Sequence, residues 1–328
     1  MPAFETSLRQ HLMRRLKDIY KKRGMRGLFR DFIGNPLAWR QCRDVLLWLV
    51  RSSLQPTWPV SVTIEDCKFY LHPYDYGIST ELFIYGTHEP ASTKLFKGAV
   101  REGMVVVDIG SNLGYYAIPA ARLVTPSGKV MAIEPEPKNF AALRRNVEAN
   151  RIENMILIPS AIGSTDSMGK LYLAPVSNTH TLRPTEHQRL SQYIEVPVKR
   201  LDTLVQAAGL TRVDFIRMDI EGFEVEAVSG MWNTLKENQP GLMMELHCDV
   251  VGSLALANLL DGLMEYGYEV EYVINRDQDF YWKKYDEAAE TVSIAELRCR
   301  LHSYRVVTVF LHPARKAGGH QRDLVNIA

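Results

Sequence analysis

The run Val105-Val-Val-Asp108-Ile-Gly110-Ser-Asn-Leu-Gly114-Tyr-Tyr places an acid and two glycines directly behind an apolar, β-branched stretch. Glycine permits a tight turn and lets backbone approach a ligand closely. Free N–H groups at the start of the following helix can receive an anion or a carboxylate. The next apolar run ends in Glu134, and an acid at that point of a doubly wound sheet hydrogen-bonds a pair of ribose hydroxyls. A dinucleotide binder wants G-x-G-x-x-G, because a pyrophosphate must lie against the backbone. The spacing here is D-x-G-x-x-x-G, and Asp108 stands beside the place a diphosphate would need. The pattern suits an amine-bearing cofactor without a diphosphate. S-adenosylmethionine, with an amino-acid end, a sulfonium charge and a ribose, meets that description.

Two further runs carry polar chemistry at the ends of apolar stretches. In Val213-Asp-Phe-Ile-Arg217-Met-Asp219-Ile-Glu221-Gly-Phe-Glu224 a strand ends in Asp219 and a helix begins near Glu221. Ligands of open α/β sheets sit outside such strand ends, so both carboxylates are expected to face the cofactor. In Met243-Met-Glu245-Leu-His247 alternation puts Glu245 and His247 on one side of a strand. His247 is a candidate general base, since an unperturbed imidazole titrates near neutrality. Asp219, Glu245 and His247 form the catalytic set. The same three could ligate Mg²⁺ or Mn²⁺, but no tight ligand spacing accompanies them and no metal is expected.

The elements that must position these residues follow from periodicity. Strands are expected at Val105–Ile109, Val130–Glu134, Met155–Pro159, Asp214–Asp219 and Gly241–His247. Helices are expected at Tyr115–Val124, Lys138–Asn150, through Val225 and Val228, and over Leu254–Tyr266. Such alternation implies a parallel sheet wound with helices on both faces. Glu269–Ile274 and Tyr304–Leu311 read as an edge pair that includes an antiparallel strand. The insertion 163–200 holds two strands, Lys170–Ala174 and Tyr193–Val198, around a polar loop. Val60–Ile64 and Lys68–Leu71 read as a hairpin about a Glu65-Asp66-Cys67 turn. Asp75 to Glu89 reads as a lead-in segment rather than a core element.

The chain has 328 residues with 39 basic and 38 acidic side chains, which excludes a globally basic nucleic-acid binder and an acidic disordered chain. An apolar share of 46% is that of a full globular core. Four scattered cysteines fit no zinc site and read as reduced thiols of an intracellular, cytoplasmic protein. The neutral total hides an asymmetry. Residues 1–50 carry 11 basic and 4 acidic side chains, a net of +7, against 28 and 34, a net of −6, in the rest. Leu8, Leu12, Leu16, Ile19 and Tyr20 recur at helical spacing opposite Arg14, Lys17, Lys21 and Lys22. Residues 8–30 are therefore a candidate for peripheral contact with an anionic membrane at its inner face.

Together these residues resemble the FkbM family of S-adenosylmethionine-dependent methyltransferases. The resemblance runs from Tyr76 to His247. Besides the runs above it includes Gly77-Ile-Ser-Thr-Glu-Leu, Glu89-Pro90, Ile133-Glu134-Pro135, Asn146 and Asn150, Ala161-Ile-Gly163 and Leu201-Asp202-Thr203-Leu204. The family pattern commonly has Lys where Arg217 stands and Ala where Ser111 stands. The resemblance implies a class I methyltransferase, a doubly wound, mainly parallel seven-stranded α/β sheet, to which the residue pattern adds an N-terminal helical and β-hairpin extension. Residues 1–57 and most of 273–328 lie outside the resemblance, and the pattern along the chain divides it into an extension at 1–57, hairpin and lead-in at 58–94, the methyltransferase domain at 95–312 and a tail at 313–328. The resemblance also implies methyl transfer to a hydroxyl of a sugar, glycolipid or other small molecule. Asp108, Gly110, Asn112 and Gly114 would cradle the methionine end, Glu134 the ribose, and Ser160 and Ala161 the adenine. Asp219 and Glu221 would approach the methyl-donor end, and Glu89, Ser111, Tyr115 and Pro135 complete the implied cofactor set. A nucleic-acid methyltransferase is disfavoured, because the lip after the fourth strand is acidic and repels phosphate. A cofactor-binding scaffold acting through residues 1–57 is the remaining rival.

Overall fold

The computed structural model of the chain describes residues 60–72, 75, 77–174, 176–184, 192–277 and 288–314. The chain divides into two compact units, residues 1–55 and 56–328, and all described residues belong to the second. The basic segment 8–30 and the tail after Ala314 lie outside the described residues.

Glu65 and Asp66 both take positive φ, 45° and 63°. That is the backbone of a two-residue hairpin turn whose twist matches its strands. It joins β1 (Ser61–Ile64) to β2 (Cys67–Tyr70) in antiparallel register. Cys67 therefore belongs to a strand, not to the turn. The segment expected as a mere lead-in contains helix α1 (Ile78–Tyr85), followed by α2 (Pro90–Ala99). Ile78, Leu82, Leu95 and Phe96 are buried in the core, because apolar residues at helical spacing there meet the sheet.

The central sheet is built from β3 (Val105–Ile109), β4 (Lys129–Ile133) and β5 (Met155–Ile158), separated by α3 (Ala117–Leu123) and α4 (Pro137–Ala149). A short β6 (Ala161–Ile162), β7 (Ser167–Tyr172) and β8 (Tyr193–Lys199) form a separate three-stranded sheet from the insertion. Then follow α5 (Leu201–Ala207), β9 (Phe215–Met218), α6 (Glu224–Ser229), α7 (Trp232–Asn238), β10 (Gly241–His247), α8 (Cys248–Val251) and α9 (Ser253–Glu265). The chain closes with β11 (Tyr268–Asn275), α10 (Ile294–Arg300) and β12 (Val306–Pro313). The seven strands lie in the order β11-β12-β10-β9-β3-β4-β5, and β12 runs antiparallel to both neighbours. This is the expected doubly wound α/β sheet.

Successive residues of β3 and β9 serve opposite faces, as the strand period of two requires. Val107, Ile109, Ile216 and Met218 pack with α5, α6, α7 and α9 on one face. Val106 and Phe215 pack with α1, α2, α3 and α4 on the other. The strand order reverses between β3 and β9, so the chain leaves a crevice above their C-terminal ends. Among the described residues no helix is long and apolar enough to cross a membrane.

Candidate active site

The glycine turn after β3 is closed by its own hydrogen bonds. Gly110 and Ser111 N–H both donate to the Ile133 carbonyl at 3.0 Å, and Gly114 N–H donates to that of Ser111 at 2.8 Å. Asn112 N–H donates to Glu134 Oε2 at 2.8 Å, and Leu113 N–H to Asn112 Oδ1 at 2.7 Å. The expected free N–H groups are thus absent from Gly110 to Gly114, because β4, Glu134 and the turn's own Ser111 carbonyl and Asn112 side chain satisfy them. The helix itself starts later than expected, at Ala117. Gly110 has φ +81°, and a Cβ there would collide with the Asp219 carbonyl oxygen. Only glycine lets β3 and the loop after β9 meet this closely. Gly114, at φ +96°, is needed for packing against Leu143 and Ile118.

A cleft opens over this turn. Of the expected cofactor residues, Gly110, Ser111, Asn112, Tyr115, Glu134, Pro135, Ser160, Ala161, Asp219 and Glu221 line it. Asp108, Gly114 and Glu89 are not part of that lining, nor are Glu245 and His247 of the catalytic set. Glu134 also accepts from Glu136 N–H at 2.9 Å, and burial raises its carboxyl to about 7. Three side-chain atoms bear on the cleft: Ser160 Oγ and Asn178 Oδ1, on residues of the lining, and Asp108 Oδ2, on the residue before the lining Ile109. All three are buried without a protein partner. Buried polar atoms in native proteins are rarely left unpaired, so the cleft fits a ligand with both polar and apolar parts. Glu134 would hold ribose hydroxyls, and Asp108 would face a cationic amino group.

Arg217 ties the turn to the end of β9. It pairs in register with Asp108 and lies on the same face of the sheet. Its guanidinium donates to the Gly110 carbonyl at 2.9 Å, to Asp108 Oδ1 at 3.3 Å and to Asp219 Oδ2 at 2.7 Å. It also lies over the Tyr116 ring, 4.5 Å from the centroid. Burial works against its charge, but Asp219 and Asp108 outweigh that and hold it protonated. Burial pushes the Asp108 carboxyl up, and Arg217 opposes the rise.

The polar residues at the strand ends have separate surroundings. His247, 4% exposed, sits between two carboxylates. Its Nε2 lies 3.2 Å from Glu221 and its Nδ1 2.8 Å from Glu224. Burial lowers the imidazole pKa, and these carboxylates more than compensate, so it lies well above its ordinary value. Both ring nitrogens are thus engaged by carboxylates, an arrangement that favours Asp219 over His247 as the proton acceptor. Glu245 lies 3.7 Å from Arg276, and burial followed by the charges of Asp219 and Glu89 pushes it up to about 8. Glu89 accepts from Arg276 at 2.5 Å and from the Tyr116 hydroxyl at 3.0 Å, and lies 3.1 Å from His88. It ties α2 to the end of β11 instead of touching the cleft. Asp219 alone of the catalytic set lines the cleft. For a divalent cation, ligand atoms of Asp219, Glu221 and His247 come within 4.8 Å of one another, so Glu221 replaces Glu245 in the trio considered from sequence.

A strap from the insertion, residues 176–184, closes the other side. The Ser177 carbonyl accepts from Asn112 Nδ2 at 3.2 Å and Asn139 Nδ2 at 2.9 Å. Thr181 Oγ1 donates to the Glu221 carbonyl at 2.6 Å, and Arg183 pairs with Glu226. Asn178, His180 and Leu182 line the cleft. Sequence reasoning missed all of these, because a polar loop has no period. Arg217 did carry a signal, a cation inside an apolar strand.

Residues 108–270 match the methyltransferase FkbM domain. The chain is 26% identical to the hexuronic acid methyltransferase AglP of Haloferax volcanii over 57% of this chain and 76% of the relative. It is 29% identical to the 2-O-methyltransferase NoeI of Sinorhizobium fredii over 41% and 60%. Among solved structures, the methyltransferase FkbM of Methylobacillus flagellatus is 16% identical over 73% of this chain and 48% of that one, with a TM-score of 0.39. The fold assignment rests on the strand order described above and not on that score. Taken with the domain match, the sheet topology and the cleft over the Asp108–Gly114 turn make this chain a member of the FkbM family of S-adenosylmethionine-dependent methyltransferases.

Proposed function

We propose that the chain methylates a hydroxyl oxygen of a sugar-like small molecule, with Asp219 as the proton acceptor. The observation that carries this is the position of Asp219. It is the carboxylate of the catalytic set that reaches the cleft, and Arg217 anchors it through one oxygen. The names of the two relatives, a hexuronic acid methyltransferase and a 2-O-methyltransferase, support an oxygen acceptor of this class.

S-adenosylmethionine would supply a sulfonium methyl group, an electrophile that an aligned oxygen can attack in line. The chain's part is alignment, exclusion of water and a place for the proton. Glu134 and the Asp108–Gly114 turn orient one end of the cleft, and the strap shields it. Asp219 takes the proton as the acceptor oxygen forms its bond to the methyl carbon.

The test is transfer of label from S-adenosylmethionine carrying a tritiated methyl group to a panel of hexuronic acids and oligosaccharides, with transfer RNA in parallel. Incorporation into a carbohydrate, lost on mild treatment that cleaves esters but kept by ethers, decides between carboxyl and hydroxyl methylation. Label in transfer RNA alone would overturn the proposal.

The charge asymmetry of the sequence supports a further part of this reading. The acceptor is met at an anionic membrane face to which residues 8–30 bind, as they would for a glycolipid.

A further inference from the structure

We infer that Arg217 is a positioning residue for methyl transfer. It locks the cofactor turn and Asp219 into one unit and holds the Asp219 carboxylate at the methyl-donor end of the cleft. This rests on the reading of Asp219 given above and adds the device that makes its position possible.

Four observations converge. Arg217 is 4% exposed, so its charge has been taken out of water at a cost that specific partners must offset. Its partners come from two different strand ends: Asp108 and the Gly110 carbonyl after β3, and Asp219 after β9. Each carboxylate spends one oxygen on the guanidinium. Asp108 Oδ2 has no partner among the described residues, and Asp219 lines the cleft. The backbones meet at the same spot, since a side chain on Gly110 would strike the Asp219 carbonyl. A planar fork with donors on two nitrogens suits this bridge, and the Tyr116 ring beneath it fixes its plane. An ammonium group is a point charge. Its three donors radiate from one nitrogen and lack the rigid fork that spans the turn and Asp219 here.

The consequence is readable without knowing the acceptor. S-adenosylmethionine and S-adenosylhomocysteine differ by one methyl group and one positive charge at sulfur. The ratio of their dissociation constants therefore reports whether a carboxylate faces that atom. Full-length wild type, R217K, D219N and the double variant are titrated calorimetrically with each compound. Wild type is expected to favour the sulfonium. D219N is expected to reduce that preference about fivefold or more, the scale of a charge-assisted contact. R217K keeps the charge and changes only the geometry. It is expected to reduce the preference to the D219N level, while affinity for S-adenosylhomocysteine changes by less than about tenfold. The double variant should match either single one, because both act through one carboxylate.

R217K with a lowered melting temperature but an unchanged ratio would overturn the inference and leave Arg217 a merely structural cation. Multiplying losses in the double variant would also overturn it. If R217K does not fold, Y116L removes the platform under the guanidinium, and an unchanged ratio there counts against the inference in the same way. Wild type that binds both compounds with no preference refutes the placement of Asp219. Wild type that binds neither refutes the cofactor site as a whole.

Discussion

Glu134 and His247 are both buried polar residues at strand ends, yet burial has opposite consequences for them. Glu134 accepts two backbone N–H groups but faces no cation, so burial wins and its carboxyl rises to about 7. Between the ordinary carboxylate value and that pH the folded chain binds more protons than the unfolded one. Its contribution to stability therefore falls as pH rises through this window. Ribose hydroxyls need the ionised acceptor, so affinity for S-adenosylhomocysteine should rise severalfold from pH 6 to pH 8. Glu134→Gln should bind more weakly and lose that pH dependence, which calorimetry at the two pH values checks. His247 meets two carboxylates, and its proton is held. His247→Ala would leave Glu221 and Glu224 without their shared cation, and should cost about 3–5 kcal/mol in urea unfolding. A large loss of turnover with unchanged stability would instead return His247 to the chemistry. Asp108, Gly110 and Glu134 were legible because their chemistry follows from local spacing. The roles of His247 and Glu89 were not, since they depend on Glu221, Glu224, Tyr116 and Arg276, which only tertiary folding brings near.

Among the elements, the buried parallel strands were the most legible. Val105–Ile109 and Gly241–His247 appear with the bounds that their apolar runs imply. The hairpin came close: Glu65 and Asp66 complete the turn without Cys67, and the strands run Ser61–Ile64 and Cys67–Tyr70 where Val60–Ile64 and Lys68–Leu71 were expected. The strap was illegible for a physical reason. It is held by individual polar contacts, with the Ser177 N–H, the Ser177 carbonyl and the Thr181 hydroxyl each finding a partner far away in sequence. Contacts of this kind leave no periodic mark. They also make the strap the part of the cleft wall that should open at least cost. Thr181→Val keeps the shape and removes the hydroxyl that reaches the Glu221 carbonyl, a loss of about 1 kcal/mol. Amide exchange over residues 176–184 should quicken about fivefold, and S-adenosylhomocysteine should slow it again. Exchange that ignores both the substitution and the ligand would show that the strap does not report on the cleft.

At the scale of the whole molecule, charge separates the N-terminal segment from the rest. Residues 1–50 carry a net of +7 and the remainder a net of −6, so a uniform attraction to anionic surfaces cannot arise from the chain as a whole. It can arise only if the basic segment meets the surface while the acidic remainder stays beyond the Debye length, about 8 Å at physiological salt. Each Lys or Arg close to an anionic leaflet contributes about 1 kcal/mol, so a few basic side chains suffice for reversible binding. The apolar positions Leu8, Leu12, Leu16 and Ile19 would add burial in the headgroup region. The full chain should therefore float with vesicles rich in phosphatidylglycerol and not with neutral phosphatidylcholine vesicles. A chain lacking residues 1–45 should stay at the bottom of the gradient. Raising salt to 0.5 M should release most of the full chain, since exposed charges are then screened. Equal recovery of the full and truncated chains would place the acceptor in solution and return the basic segment to the role of a solvated surface.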